Sequence, residues 1–556
     1  MPDQQRDSQE REAKGETWTA AGPAVVPELE LFARRLAQEH EQALTAPGAS
    51  AEEFLEAFTA VEKQLRAAHR YFADEGDDEL SLSYAAEWLL DNFYIIRRAE
   101  RQVRHDLPPR YYEQLPQLDV DGDRQYPRIY HVALALVDNE ECQVDIKRLK
   151  QFVDSYQEVS PLSMGEIWAL PTLLRAALLL GLAHATGQMT DVTADRPLPL
   201  RPERQPALSD GDVIANCIPS LIRLDKCDWR DFFESVSHVE RALAEDPAAL
   251  YRRLEFDTRD RYRKVVEVLA RETGIAEAEI AAATTELAAA ALPAGEAPAD
   301  WEGIAMPREA HVGYYLIDSG RRELERRLGY EPRPLGRLSR LLREHPTALY
   351  LGAIGFLSLL FLGALAWYAA AAGAALWQLA ATLLLALIPT VTVAVSLTNW
   401  IITEAIAPRV LPKLDFSEEI PASCRTAVVV PSLLTSVEEV ESLLAQLEQH
   451  YLRNCDPNLI FALLTDWGDA ETEQTPDDIR LLTAAVEGVN ALNRRYSDRP
   501  FYLFHRRRLW NERERVWMGW ERKRGKLHEF NRLLRGDDNT SFMTQAGALE
   551  QIGVIE

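Results

Sequence analysis

Between Ala348 and Ile402 the chain carries no Asp, Glu, Lys, Arg or His. Helices of water-soluble proteins rarely go so far without a charge, because one side of them faces water. A helix needs roughly 20 apolar residues to cross a bilayer core, so this stretch has room for two crossings. Leu349–Trp367 (LYLGAIGFLSLLFLGALAW) is the first. The small-residue patch Tyr368–Ala375, with Gly373 in it, is the turn, and Leu376–Leu397 is the second. Pro389 falls inside the second crossing, where a membrane helix tolerates it better than a soluble one does. Arg337, Arg340 and Arg343 precede the pair, and Arg409 and Lys413 follow it, while the turn is uncharged. Positive flanks stay on the cytoplasmic side, so both soluble parts are expected there. Trp367, Tyr368 and Trp377 bracket the turn and Trp400 lies near the other end, as interfacial aromatics would. The competing reading is a buried hairpin inside a large soluble core.

A chain of 556 residues holds more than one domain. Its formal charge of −26 excludes a general nucleic-acid binder. The charge is uneven, since His505–Arg535 holds eleven Lys or Arg against four Glu. Five cysteines without a CxxC spacing argue for reduced thiols, not for a zinc site or a disulfide framework. No apolar segment near the N-terminus reads as a signal peptide.

Residues 1–27 are polar and expected to be disordered. Residues 28–335 read as a cytoplasmic, mostly α-helical region. Apolar residues recur at three- and four-residue intervals from Leu29, in Ala51–Phe72, and across Ser81–Asp106, which predicts one long helix. Tyr126–Ala135 is denser and aromatic, and Pro161–Ala183 is helical. Within the latter, Met164–Leu182 is apolar on most sides but contains Glu166 and Arg175, so a buried soluble helix is favoured over a span. Thr186–Asp210 reads as a loop, and HVGYYL (His311–Leu316) as a short strand or a helix start. Asp121-Gly-Asp123 reads as a tight turn before a metal site. His105, His131 and His311 stand apart and read as packing or surface residues.

The two-helix hairpin spans residues 347–403. Residues 404–424 are expected to form an interfacial segment and linker, since Asn399–Leu414 is amphipathic, the alternative being a continuation of the second crossing followed by a linker. The grammar then changes. RTAVVVPS (Arg425–Ser432) reads as a buried strand, Val437–Arg453 as a helix, LIFALLT (Leu459–Thr465) as a strand, a helix capped by Thr475 follows, and FYLF (Phe501–Phe504) is a third strand. Alternating strands and helices predict a parallel sheet with crossovers, which binds ligands beyond its strands' C-terminal ends. Three loops reach that place. They hold Pro431, Ser432 and Thr435, then Asp466 and Asp469, then WMGWERKRGKLHEFN (Trp517–Asn531). A carboxylate there suits a uracil edge or ribose hydroxyls, Lys and Arg suit a diphosphate, and Gly525 admits a close backbone. The alternative is that Asp466 caps a turn and the basic run meets anionic lipid.

RTAVVVPSLLTSVEEVESLLAQLEQHYLRN, DPNLIFALLTDWGDA and the segment from FYLFHRRRLW to NRLLRG resemble the glycosyltransferase domain of cyclic β-1,2-glucan synthases. SLSYAAEWLLDNFYII, DLPPRYYEQLP and FVDSYQEVSPLSMGEIWALPTLLR resemble the N-terminal region of the same family. The resemblance implies a bacterial inner-membrane protein that uses UDP-glucose to extend a β-1,2-glucan. It implies a GT-A-like, Rossmann-type α/β domain over residues 425–556, incomplete here. Lys526 and Asn531 match the Lys-x-x-x-x-Asn nucleotide segment of the related cellulose and hyaluronan synthases, and Asp466 matches the early nucleotide-contacting aspartate. Pro431 and Ser432 enter as loop formers, with Asp469, Arg524 and Gly525 as further candidates. The family holds Mg²⁺ or Mn²⁺ on a later Asp-x-Asp, which does not follow Asn531, nor does a base carboxylate or a Gln-x-x-Arg-Trp segment. The chain is therefore expected to be inactive alone, with UDP-glucose, the bilayer and the glucan chain as partners. The alternative is a membrane-tethered helical scaffold without catalysis.

Overall fold

The computed structural model describes residues 26–45, 47–48, 50–75, 84–119, 125–190, 208–292, 307–331, 345–405, 408, 410–496, 501–537 and 539–547. They form two compact units, one from residues before the hairpin and one largely from the hairpin onward.

The first unit is a helical bundle around Met164–Thr190. This helix is long and apolar enough to cross a membrane, yet 83% of its most apolar window is buried. Helices Ala51–Glu75, Phe93–Asp106, Arg128–Asn139 and Asp210–Lys226 pack on it. Both of its charged side chains, Glu166 and Arg175, are hydrogen-bonded inside the bundle. Glu166 accepts from Arg128 Nε at 2.7 Å and Nη2 at 2.5 Å, and from the Ser163 amide at 2.9 Å. The remaining Arg128 donors reach Ser160 Oγ (2.8 Å) and the Pro161 carbonyl (2.9 Å). Arg175 donates to the carbonyls of Pro171 (3.1 Å) and Leu224 (3.3 Å). A buried ion pair is tolerable only when its spare donors are filled in this way.

Several expectations are corrected here. Ser81–Asp106 is not one helix. Tyr84–Asp91 and Phe93–Asp106 are separated at Asn92, whose ψ of 11° leaves the helical range and whose side chain shares the Trp88 carbonyl (2.9 Å). YPRIYHVALA, assigned no element from the sequence, is the end of a short strand followed by helix Arg128–Asn139, and of the two forms expected for HVGYYL the helical one is found, Val312–Ile317. The central helix runs on to Thr190, so the start of the expected loop is helical. His311 does not stand apart. It joins Asp246 Oδ2 (2.8 Å) to the Tyr262 hydroxyl (3.2 Å). The N-terminal tail to residue 25, Asp121-Gly-Asp123, Arg337, Arg340, Arg343 and Arg409 lie outside the described residues.

The hairpin consists of helices Pro346–Ala371 and Leu376–Ala405, each with only 6% of its most apolar window buried. Both have the length and composition of membrane spans. The turn is shorter than expected. Gly373, at φ +83°, ends the first helix, with the Ala374 amide reaching the Ala369 carbonyl (3.1 Å) and the Gly373 amide that of Ala370 (3.0 Å). This left-handed cap suits glycine. Gln378 Oε1 accepts from the Ala375 amide (2.8 Å) and starts the second helix. At the opposite end the Tyr350 hydroxyl donates to Asn399 Oδ1 (2.9 Å). Asn399–Ala405 continues the second helix, the alternative weighed for this segment. In the linker, Asp415 and Lys413 pair with Arg253 and Glu255 through backbone bonds of 2.7 and 2.9 Å.

After the hairpin come β1 (Thr426–Leu434), α1 (Val437–Arg453), β2 (Leu459–Trp467), α2 (Asp478–Arg495), β3 (Phe501–Arg506), β4 (Leu509–Asn511), β5 (Val516–Met518), α3 (Arg522–Leu534) and β6 (Phe542–Ala546). The main sheet runs β1-β2-β3-β6, with the first three strands parallel and β6 antiparallel to β3. β4 and β5 form a separate antiparallel hairpin. Val440 and Leu447 of α1 and Ala485 and Val489 of α2 cover one face, over Phe461, Leu463, Phe501 and Leu503. Phe530 of α3 covers the other, over Ile460, Ala462, Leu464, Tyr502 and Phe504. Successive strand residues point to opposite faces. With both faces covered, LIFALL and FYLF can be apolar without interruption.

Ser436 caps α1 by accepting from the Glu439 amide at 3.1 Å. Thr475 does not cap α2 as expected. Its hydroxyl and amide donate to the Asp478 carboxylate (2.6 and 2.9 Å), and the helix begins at Asp478. Pro431 is not in a loop either but inside β1, which pairs with β2 as far as Leu434. β1 is an edge strand, where a residue lacking an N–H is tolerated.

Candidate functional site

The parallel register places the last residues of β2 beside those of β3, with Thr465 opposite His505. Asp466 (1% exposed) and Arg506 (0%) follow them. The pair is bidentate. Arg506 Nε lies 2.7 Å from Asp466 Oδ1 and Nη2 lies 2.9 Å from Oδ2. Arg506 Nη2 also donates to the carbonyls of Trp520 and Arg522, at 3.1 Å each. Lys526 of α3 is buried with its Nζ 3.1 Å from Asp466 Oδ2, and it donates to the Ser432 carbonyl at 2.5 Å. Burial lowers the Lys526 pKa, and the adjoining Asp466 opposes that shift. Glu529 Oε1 lies 3.6 Å from Arg506 Nη1, while its Oε2 accepts from the Ser541 amide (2.8 Å) and hydroxyl (2.5 Å). Two carboxylates therefore face two cations.

Two glycines allow this crowding. A Cβ on Gly519 would lie 2.7 Å from the Asp466 carboxylate, and one on Gly525 would run into the Trp520 carbonyl. A second buried pair steadies the loop after β2. Arg508 binds Asp478 (2.5 and 3.1 Å) and the carbonyls of Gly468 (2.8 Å) and Glu473 (3.1 Å).

Of the residues singled out in the sequence, Asp466, Lys526, Ser432 (through its carbonyl) and Gly525 come together, with Pro431 next to Ser432 on β1. Asp469 sits on the exposed rim, paired to Arg522 at 2.7 Å. Arg524 points to solvent, 3.7 Å from Glu521. Asn531 is not part of this group. It lies exposed on α3 and lines a separate small cleft with Arg425, Thr426 and Leu534, at the other end of β1. Five helical residues turn the chain by about 500°, which leaves Asn531 about 140° from the Lys526 face. Arg506 and Glu529 were not singled out. Arg506 is the last residue of β3, all of which is buried, so the strand signal of FYLF carried two residues further would have included it.

His505 is fully buried, with Nδ1 2.8 Å from Thr465 Oγ1 and its ring edge-on to Trp467 at 4.1 Å. Burial pulls its pKa from 6.5 down to about 4, against the attraction of Asp466. The folded chain thus binds fewer protons here than the unfolded chain. Stability is lost as pH falls from 6.5 toward 4, by up to about 3 kcal/mol for this one group. Melting curves of the full chain across that range should show the loss, and His505→Gln should flatten it.

The chain thus combines an apolar helical hairpin with an α/β unit that carries a buried charged cluster at its strand ends. Over 95% of its length the chain is 32% identical to the cyclic beta-(1,2)-glucan synthase NdvB of Rhizobium meliloti (strain 1021). It spans 21% of that relative's length and so corresponds to a part of such a synthase. No family model matches the chain.

Proposed function

We propose that the α/β unit is the nucleotide-binding part of a GT-A-like glycosyltransferase that takes UDP-glucose as donor for β-1,2-glucan synthesis at the bacterial inner membrane. The observation that carries this reading is the convergence of Asp466, Arg506 and Lys526 at the C-terminal ends of parallel strands, where α/β sheets bind ligands. On this reading Asp466 meets the uracil or ribose and the Lys526 ammonium turns to the diphosphate, with Arg506 holding the carboxylate in place. The Lys526 stem is fixed on α3, so the ammonium needs only a rotamer change to leave the Ser432 carbonyl.

The family's Mg²⁺ or Mn²⁺ does not fit the residues described. Asp466 is already matched by two cations, and among the described residues no group of three His, Cys, Asp or Glu side chains converges. No step is assigned to a metal here. Glu529 is held by Ser541 and Arg506, so neither pocket carboxylate is left to take a proton from an acceptor hydroxyl.

Isothermal titration of the full chain in detergent should show UDP binding that Asp466→Ala abolishes, and UDP-glucose should bind without releasing UDP. No heat with UDP would refute the nucleotide reading, and steady UDP release would refute the predicted inactivity. The self-neutralised pocket also favours a second reading, a membrane-tethered scaffold, which the same titration separates from the first.

A further inference from the structure

Two indoles pair on the small hairpin next to the charged cluster. Trp510 and Trp517 are a directly opposed cross-strand pair on β4 and β5, with ring centroids 5.9 Å apart. Trp510 is 47% exposed, and Trp520, just beyond the hairpin, is 43% exposed. A hairpin of two three-residue strands has no core of its own, so folding alone does not account for large aromatic faces kept in water.

The hairpin is fastened to the pocket wall. The Trp517 and Ala470 backbones exchange hydrogen bonds of 2.9 and 3.0 Å, which ties β5 to the loop after Asp466. Gly519 lies against the Asp466 carboxylate, and the Trp520 carbonyl takes an Arg506 donor. The indoles and the charged cluster therefore share one continuous stretch of backbone.

We propose that Trp510 and Trp517 form a stacking platform for a glucan chain beside the Asp466–Arg506–Lys526 cluster. The proposal rests on the nucleotide-sugar reading given above. A pyranose presents a flat C–H face, slightly positive and apolar, that suits the negative face of an indole, while its hydroxyls stay in water. The charges at the hairpin tip, Glu512, Arg513, Glu514 and Arg515, are all exposed and cancel. The hairpin tip itself thus carries no net positive charge, unlike the exposed Arg522, Lys523 and Arg524 at the start of α3, and an anionic lipid surface gains little at the tip. The chemistry favours a neutral saccharide.

The test is titration of the full chain in detergent with linear β-1,2-linked glucose oligomers and, separately, with UDP. Trp510→Ala should weaken oligomer binding roughly tenfold, the scale of losing one aromatic anchor. Trp510→Phe should restore most of it, and UDP affinity should be the same in all three proteins. Unchanged oligomer affinity in Trp510→Ala, with UDP still bound, overturns the platform alone. Failure of UDP to bind the unaltered chain overturns the nucleotide reading beneath it. Binding of phosphatidylglycerol vesicles that depends on Trp510, with oligomer binding unaffected, makes the surface a lipid contact and also overturns the proposal.

Discussion

Arg506→Leu should destabilise the chain by about 3–5 kcal/mol, because it leaves the buried Asp466 carboxylate short of its bidentate partner. Lys526 remains within 3.1 Å but cannot replace a planar two-point contact. The carbonyls of Trp520 and Arg522 lose a donor at the same time, so the start of α3 loosens as well. Denaturant unfolding of the full chain in detergent reads the loss. Asp466→Asn in the same background should recover part of it, since the uncompensated charge is then gone. If Arg506→Leu alone leaves the midpoint within experimental scatter, the pair is not the keystone of the sheet edge. UDP binding is expected to disappear with it, because a freed Asp466 no longer holds one orientation.

Arg128→Leu should have an effect of similar size, about 3–5 kcal/mol, in the helical unit. Arg128 is 3% exposed and Glu166 is fully buried. The guanidinium spends its donors on Glu166, Ser160 and the Pro161 carbonyl, so its loss strands three acceptors near the start of the central helix. Glu166→Gln in the same background should be less damaging than either single change predicts by addition, as expected of residues in one network. Additive losses in that cycle would mean that the two side chains act independently.

The apolar hairpin was legible because a bilayer imposes one crude requirement, an uncharged run of sufficient length, and Ala348–Ile402 meets it. β2 and β3 were legible for a related reason. Burial on both faces leaves LIFALL and FYLF without polar interruption. Helix ends were harder. Asn92 breaks a helix whose apolar spacing continues through it, and Pro431 reads as a stop until one knows that its strand lies at a sheet edge. Strand order is a long-range property that no local window contains.

Within the candidate site, Asp466 and Lys526 were found as a charge pattern, yet their actual partner was hidden in a basic run. His505-Arg-Arg-Arg508 reads as one solvated patch, but Arg506 at the end of β3 and Arg508 just beyond it are buried and Arg507 alone of the three arginines is exposed. Asn531 shows the opposite error. A six-residue spacing pattern grouped it with Lys526, although the helical spacing of that very segment puts the two on different faces.

The central helix of the first unit has a consequence for biosynthesis. Met164–Thr190 emerges from the ribosome ahead of the hairpin and is apolar enough to be sampled as a span. Arg175 alone penalises insertion by about 3 kcal/mol if it sits at mid-bilayer. Arg128 is made earlier in the chain, so the partner of Glu166 is already waiting when that residue appears. Early capture of the helix by its own bundle then competes with the lipid, and a chain slow to make that capture would be threaded into the membrane one segment too soon.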